Sequence, residues 1–345
     1  MKFSGTKRVV LALLLMTGVV CLSVAPLSGQ NKVGTTAAQF LKIGSGSRAS
    51  AMGDAFVALS NDASGIYWNP AGTARMNENQ FQFGYSDWFM DLVYNHAHAA
   101  FPIPRIGTLG VQVAGISMDE MKVRTEEQQE GTGEMFRAGS ITMGLNYARN
   151  LTDRFSIGFN FKYIQENIWH MSASTFALDV GTIFTTRFNG MKLGMSISNF
   201  GPKMQMSGRD ALVQHDPAPF IDGNNPNINA YYEMDRWSLP LLFRLGVAMD
   251  VLQTDFMTTT VAMDAIHPND NSEYVNLGVE LKFLNNIYLR GGYKSLFNNR
   301  FTEGATGGAG VRLDLPTGAA IMVDYSYTSV QYLMPVQRFT VTVGM

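Results

Sequence analysis

Phe155-Ser156-Ile157-Gly158-Phe159-Asn160-Phe161-Lys162-Tyr163 alternates strictly between apolar residues and small, polar or charged ones. The pattern returns in Val275-Asn276-Leu277-Gly278-Val279-Glu280-Leu281-Lys282-Phe283. It closes the sequence in Phe339-Thr340-Val341-Thr342-Val343-Gly344-Met345. A period of two sets one face of a strand in an apolar medium and the other in a polar one. The second face carries small residues and charges, which suits water better than a second packed sheet.

Composition narrows the medium. Only 16% of the 345 residues are charged, against roughly 25% in soluble domains. Many Gly (34), Phe (22) and Tyr (13) residues accompany this scarcity, as in a membrane β-protein. A net charge of −2 gives no reason to expect a nucleic-acid partner. The N-terminus reads as an export signal. Lys2, Lys7 and Arg8 precede an apolar stretch from Val9 to Val20, too short for a spanning helix of about 20 residues. We expect a signal peptide over 1–29, cleaved near Gly29–Gln30. The only cysteine, Cys21, lies inside it after Gly18-Val19-Val20, a poor lipoprotein motif, so a mature chain would hold no disulfide. No later apolar run reaches the length of a membrane helix. The chain is then secreted, periplasmic or an outer-membrane barrel, and the alternation decides.

Residues 30–77 differ from the rest and predict a plug-like segment. Short helices are expected over 37–41 and 48–59, and Asn69-Pro70-Ala71-Gly72 reads as a turn, with Asn and Gly tolerant of left-handed backbone. Over 78–345 only strands are expected. Their spans are 78–86, 95–103, 107–117, 135–149, 153–167, 174–187, 191–199, 240–251, 257–266, 273–284, 286–294, 300–313, 318–328 and 336–345, fourteen in all. Even-numbered connections are short and odd-numbered ones longer, the extremes being 118–134 and 200–239. That parity belongs to an up-and-down transmembrane barrel with periplasmic turns at one rim and outer loops at the other. It predicts both termini on the periplasmic side. A closed barrel leaves no unpaired edge in lipid.

The faces sort accordingly. Ile141, Met143, Leu145, Leu178, Val180, Leu193, Met195, Ile197, Leu245, Val247, Met249, Leu289, Ile321 and Val323 are expected to face lipid. Lys162, Asp179, Arg244, Asp250, Asp264, Glu280, Lys282, Arg290, Arg312, Asp324 and Arg338 are expected to face the lumen. A mid-membrane charge on the lipid face would cost about 2–4 kcal/mol. Trp88, Phe89, Trp169, Trp237, Tyr293, Tyr327 and Tyr332 fall near outer strand ends, as an interfacial girdle would. The wall is expected to be polar around a plugged or ion-paired lumen, in which Phe40, Leu41, Met52 and Phe56 of the N-terminal segment are the residues able to supply an apolar pocket.

Three segments carry a resemblance: Ala38-Gln39-Phe40-Leu41-Lys42-Ile43-Gly44, Arg48-Ala49-Ser50-Ala51-Met52-Gly53-Asp54-Ala55-Phe56-Val57-Ala58 and Asp62-Ala63-Ser64-Gly65-Ile66-Tyr67-Trp68-Asn69-Pro70-Ala71-Gly72. They resemble the N-terminal signature of the PorV/PorQ outer-membrane proteins, relatives of the FadL long-chain fatty-acid transporters, which share the Asn-Pro-Ala turn. The resemblance implies a fourteen-stranded barrel whose N-terminal segment lies near or inside the lumen. It also implies a role in type IX secretion, carrying cargo with a C-terminal β-domain to the surface attachment machinery. Partners would be that cargo, other secretion components and outer-membrane lipid. The sequence ends in Met345, where many outer-membrane barrels end in an aromatic residue.

Candidate sites are few. Asn69, Pro70, Ala71 and Gly72 either close a plug or line a ligand path. Tyr231, Tyr232 and Trp237, in the longest loop with Pro217, Pro219 and Pro226, form a candidate partner-binding surface or a rim anchor. His96-x-His98 places two imidazoles on one strand face without a third metal ligand. Asp179, Asp250 and Asp264 read as lumen charges more readily than as catalytic acids. No Ser-His-Asp spacing, phosphate loop or cysteine nucleophile occurs, so no enzyme and no cofactor is expected. The leading expectation is a partner-binding barrel of type IX secretion. Its alternatives are a FadL-like transporter of hydrophobic small molecules, a passive pore and a secreted soluble β-protein.

Overall fold

The computed structural model describes residues 33–345 except 224, 299–302 and 332. The expected signal peptide and Tyr332 therefore lie outside the described residues. Fourteen long strands dominate: β1 Gln80–Asp87, β2 Val93–Ile103, β3 Gly107–Ser117, β4 Ala138–Thr152, β5 Phe155–Ile168, β6 Met171–Thr185 and β7 Lys192–Phe200. They continue with β8 Leu242–Gln253, β9 Met257–Pro268, β10 Tyr274–Phe283, β11 Ile287–Leu296, β12 Glu303–Asp314, β13 Ala320–Val330 and β14 Val336–Gly344. Each pairs antiparallel with the next, and β14 pairs with β1 from Gln80↔Gly344 to Asp87↔Gln337. The sheet is a closed fourteen-stranded barrel, as the alternation predicts.

Parity places the side chains. Leu145, Phe161 and Phe339 are 65%, 50% and 51% exposed on the outer face. Asn160, Lys162, Asp179, Arg290 and Arg338 are buried inside. The strand ladder falters at one place. Leu178 pairs with Phe200 and Val180 with Ile197, so Asp179 alone opposes Ser198 and Asn199, a bulge. Asn199 takes φ 66°. Its amide, unable to reach a ladder carbonyl, donates to Asp179 Oδ1 at 2.7 Å.

The connection between β5 and β6 departs from the expected short–long rhythm. Only Trp169 and His170 join β5 to β6 at the long-loop end. Trp169 makes the tight turn with φ 50°, and the tall hairpin is supported from the side, where Ser207–Gly208 pairs with Ser172 and Met171.

The segment before β1 fills the lumen. It starts at the long-loop end, where Thr36 bridges Ser238 and its hydroxyl donates to Asp270 at 2.8 Å. It descends to Arg75, which hydrogen-bonds Ser156 and the Arg154 carbonyl at the short-turn end. The parity argument, which puts both termini at the short-turn end, is thus corrected for residues 33–36. Parity counts strands and is blind to a segment that crosses the lumen before the first of them. The expected helices are also shorter: 3-10 turns at Gln39–Lys42 and Pro70–Arg75, and α-helical turns at Ser47–Ala51 and Gly65–Trp68. Helix does not continue past Ala51 because Gly53 and Asp54 adopt φ of 65° and 60°.

The lumen is plugged as well as ion-paired, and the N-terminal segment brings apolar residues into it. Met52, Phe56, Leu59 and Trp68 form an apolar cluster with Ala248 and Ala262 of the wall. A second cluster near the long-loop end joins Phe40 and Leu41 to Tyr94, Ile164, Met204 and Leu239. Trp88 packs against it and lies over Arg338 at 5.2 Å, inside the barrel instead of in the lipid girdle.

Candidate functional site

The lumen segment is held by wall residues of complementary kinds. Asp264 of β9 accepts from the amides of Phe56 and Val57 at 2.8 and 2.9 Å. This satisfies backbone donors that no helix serves. Arg48 forms a two-pronged pair with Glu280 of β10 at 2.9 and 3.0 Å and reaches Asp62 at 2.9 Å. Glu280 also receives Arg290 at 2.7 Å, and Arg290 continues to Asp324. Lys294 of β11 meets Asp54 at 2.7 Å and Glu303 at 3.0 Å. At the long-loop end Thr36, Gln39 and Lys42 converge on Asp270 Oδ2 at 2.8, 2.9 and 2.8 Å. Burial opposes the charge of Asp270, but these donors outweigh it and hold its carboxyl below the ordinary carboxylate range.

The wall makes room through glycine. A Cβ on Gly278 of β10 would sit 2.4 Å from the Met52 carbonyl, and one on Gly292 of β11 would sit 2.3 Å from the Gly53 nitrogen. The lumen backbone touches the sheet directly there. Inward glycines interrupting a row of inward charges were the available sequence signal, and the sequence reading did not use it.

Asn69-Pro70-Ala71-Gly72 opens a 3-10 turn without using the left-handed backbone that its Asn and Gly tolerate. Asn69 is extended, at φ −156°, and caps the 3-10 turn by accepting from Ala71 N, with Pro70 in the first turn. Asn69 Nδ2 bonds the Val57 and Thr182 carbonyls at 2.9 and 3.0 Å. Gly72 is required by proximity: a Cβ would lie 2.1 Å from the Ser60 carbonyl. All four residues are buried at the short-turn side of the lumen.

The other sequence candidates are dispersed. Asp179 accepts from Lys162, Asn160 and the Asn199 amide. Asp250 accepts from Thr260 on the neighbouring strand at 2.6 Å. His98 contacts the Ser45 hydroxyl at 2.7 Å beside His96. Among the described residues no group of three metal-ligating side chains occurs.

Tyr231, Tyr232 and Trp237 stand on the loop between β7 and β8, 69%, 66% and 47% exposed. The loop carries small sheets of its own. Leu212–His215 pairs with Ile228–Tyr231, and Met204–Gln205 with Arg236–Trp237. Phe220, 99% exposed, belongs to the same loop. Beneath it, a cavity of about 450 Å³ opens among Phe40, Tyr67, Trp88, Arg244, Ile266 and Arg338.

Among solved structures the barrel is similar to a FadL homologue of Pseudomonas aeruginosa (TM-score 0.51, 13% identity, covering 92% of this chain and 99% of that one). It is similar to the CymD monoaromatic hydrocarbon channel (TM-score 0.56, 10% identity, 88% and 97% covered). The toluene transporter TodX of Pseudomonas putida gives a TM-score of 0.54 at 12% identity, with 87% and 97% covered. Identities this low establish the shared fold alone. No curated protein sequence matches the chain. Residues 27–219 match the family described as type IX secretion system protein PorV. That match spans more than half of the sequence, and together with the FadL-like barrel it makes this chain a member of the PorV family of outer-membrane proteins.

Proposed function

We propose that this barrel works without chemistry of its own, as a docking protein of type IX secretion. Secreted cargo with a C-terminal β-domain is received at the long-loop end and passed towards surface attachment. The observation that carries this reading is the exposed aromatic surface of the loop between β7 and β8. Tyr231 and Trp237 stand out from it on short sheets, and Tyr232 follows Tyr231 with its amide donating to the Ala211 carbonyl. Exposed aromatics on a rigid base are the residue types that dominate protein interfaces. The family match supports the pathway. The filled lumen favours work at the rim over passage of a protein through the barrel, since Ala49, Met52, Ala55 and Phe56 are wholly inaccessible.

The test is the triple variant Tyr231→Ala, Tyr232→Ala and Trp237→Ala, expressed in place of the native chain. Each side chain is expected to contribute about 1–2 kcal/mol to a contact. Cargo should therefore collect in the periplasm while the variant barrel still shows heat-modifiable migration. Normal surface display by a correctly folded variant would remove the basis of the reading. The FadL-like alternative, transport of hydrophobic small molecules, has the cavity under this loop in its favour. Against it stands the packed segment below, where Met52, Ala55, Phe56 and Ile66 have no accessible surface.

A further inference from the structure

The short-turn rim carries an arginine pair that the docking role does not use. Arg154 stands in the turn between β4 and β5, and Arg187 in the turn between β6 and β7. The turns are joined. The Thr185 amide donates to the Arg154 carbonyl at 2.8 Å, and Arg75 of the lumen segment donates to the same carbonyl at 3.2 Å. Each turn is also braced within itself. Thr152 Oγ1 accepts from the Phe155 amide at 3.0 Å, and the Thr186 amide donates to the Met191 carbonyl at 2.8 Å. Arg154 and Arg187 are both exposed, and among the described residues neither pairs with a carboxylate. They border a groove of about 460 Å³ whose other residues are Thr152, Asp153, Phe184 and Thr186.

Strand parity sets this groove against lipid. Phe184 is exposed on the outer face, while Ile183 beside it is buried inward. Phe184 pairs across the ladder with Phe155, whose outward row continues in Phe159 and Phe161. Leu151 and Phe188, next to Thr152 and Arg187, are exposed as well. Arg149 shares the outward parity of Leu145 and Tyr147 and is exposed. An arginine on the lipid face near a barrel rim brings its head to the phosphates while its stem lies along apolar surface. Against Arg149, Arg154 and Arg187 the groove sets one carboxylate, Asp153, so the local charge favours an anion. A phosphate matches the planar fork of a guanidinium with two oxygens. The short turns face the periplasm, where the membrane leaflet is built of phospholipid.

We propose that this groove on the outer wall binds an anionic phospholipid of the phosphatidylglycerol class. Its phosphate lies on Arg154 and Arg187, and its acyl chains lie along Phe184 and the outward rings of β5. The proposal does not depend on the docking role, because it concerns a lipid at the opposite rim from the long loop.

The test uses full-length protein in detergent micelles with equal amounts of dioleoylphosphatidylglycerol and dioleoylphosphatidylcholine, which share their chains and differ in net charge. Native mass spectrometry should find the anionic lipid retained in about tenfold excess or more, the weight of two arginines near a headgroup. Arg154→Gln with Arg187→Gln should lose that excess and keep heat-modifiable migration. Lys122→Gln with Arg124→Gln, an equal loss of charge on the outer loop between β3 and β4, should keep the excess. Glycerol 3-phosphate, a phosphate without chains, should not displace the lipid at matched concentration. Equal retention of the two lipids would overturn the proposal and direct the arginines to a soluble acidic partner. So would a rim variant that keeps the excess, an outer-loop variant that loses it, or displacement by glycerol 3-phosphate. If the rim variant does not fold, the lipid comparison and the glycerol 3-phosphate competition on the wild-type protein decide.

Discussion

Asp270 concentrates the upper anchorage of the lumen segment in one oxygen atom. Its ordinary value in an unfolded chain is about 3.9, and three donors hold it lower in the folded protein. A carboxyl depressed by folding contributes stability that is whole above its unfolded value and is lost as pH falls through its folded value. The grip on residues 36–42 is therefore expected to be complete at neutral pH and to weaken only below about pH 4. Thermal unfolding of wild type and Asp270→Asn, followed from pH 7 to pH 3, should show a gap that closes at the acid end. A gap of constant size would mean that the ionised carboxylate is not the anchor. At this scale the sequence was readable wherever a local rule applied. Lys162, Asp179, Arg290 and Arg338 face inward because parity along a strand is local. Trp88 was misread because it follows the last residue of β1, where alternation stops and an aromatic ring gives no hint of its side. The nearness of Arg154 and Arg187 was equally hidden, since it depends on the bond that joins their two turns.

At the scale of elements, β10 and β11 with the stretch Met52–Gly53 form one construction. The wall strands are bare where the lumen segment arrives, and the contact is backbone against backbone. Gly278→Val would put a branched side chain where the Met52 carbonyl now lies, with no flexible neighbour to yield. The expected result is displacement of the segment, with the barrel still closed by its strand ladders. Planar-bilayer conductance should then be measurable for the variant and small for wild type. Equal conductance with retained heat modifiability would show that the segment tolerates the intrusion. A glycine at an inward position is legible in the sequence, but its occupant is not. The occupant lies more than two hundred residues away, and no strand periodicity refers to it. The two-residue β5–β6 connection escaped for a related reason: its height depends on the side support of Ser207–Gly208, which sequence spacing does not register.

For the whole molecule, the strand count and closure followed from turn lengths and alternation, because an antiparallel barrel is built from neighbours in sequence. The path of residues 33–79 did not follow, and it has a consequence in time. The segment is synthesised and exported ahead of every strand, yet it ends enclosed by all fourteen. It joins β1 at the short-turn rim while its far end is pinned at the opposite rim to Asp270 and Ser238. Two histories are open to such a chain. The sheet wraps around a segment already in place, or the segment enters a finished cylinder and travels its whole length against a close-fitting wall. The glycine contacts at Gly278 and Gly292 leave no clearance for the second route. Pulsed hydrogen exchange during refolding should accordingly find the amides of Phe56 and Val57 protected no later than those of the β14–β1 seam. Protection of the seam first would reverse this order of assembly.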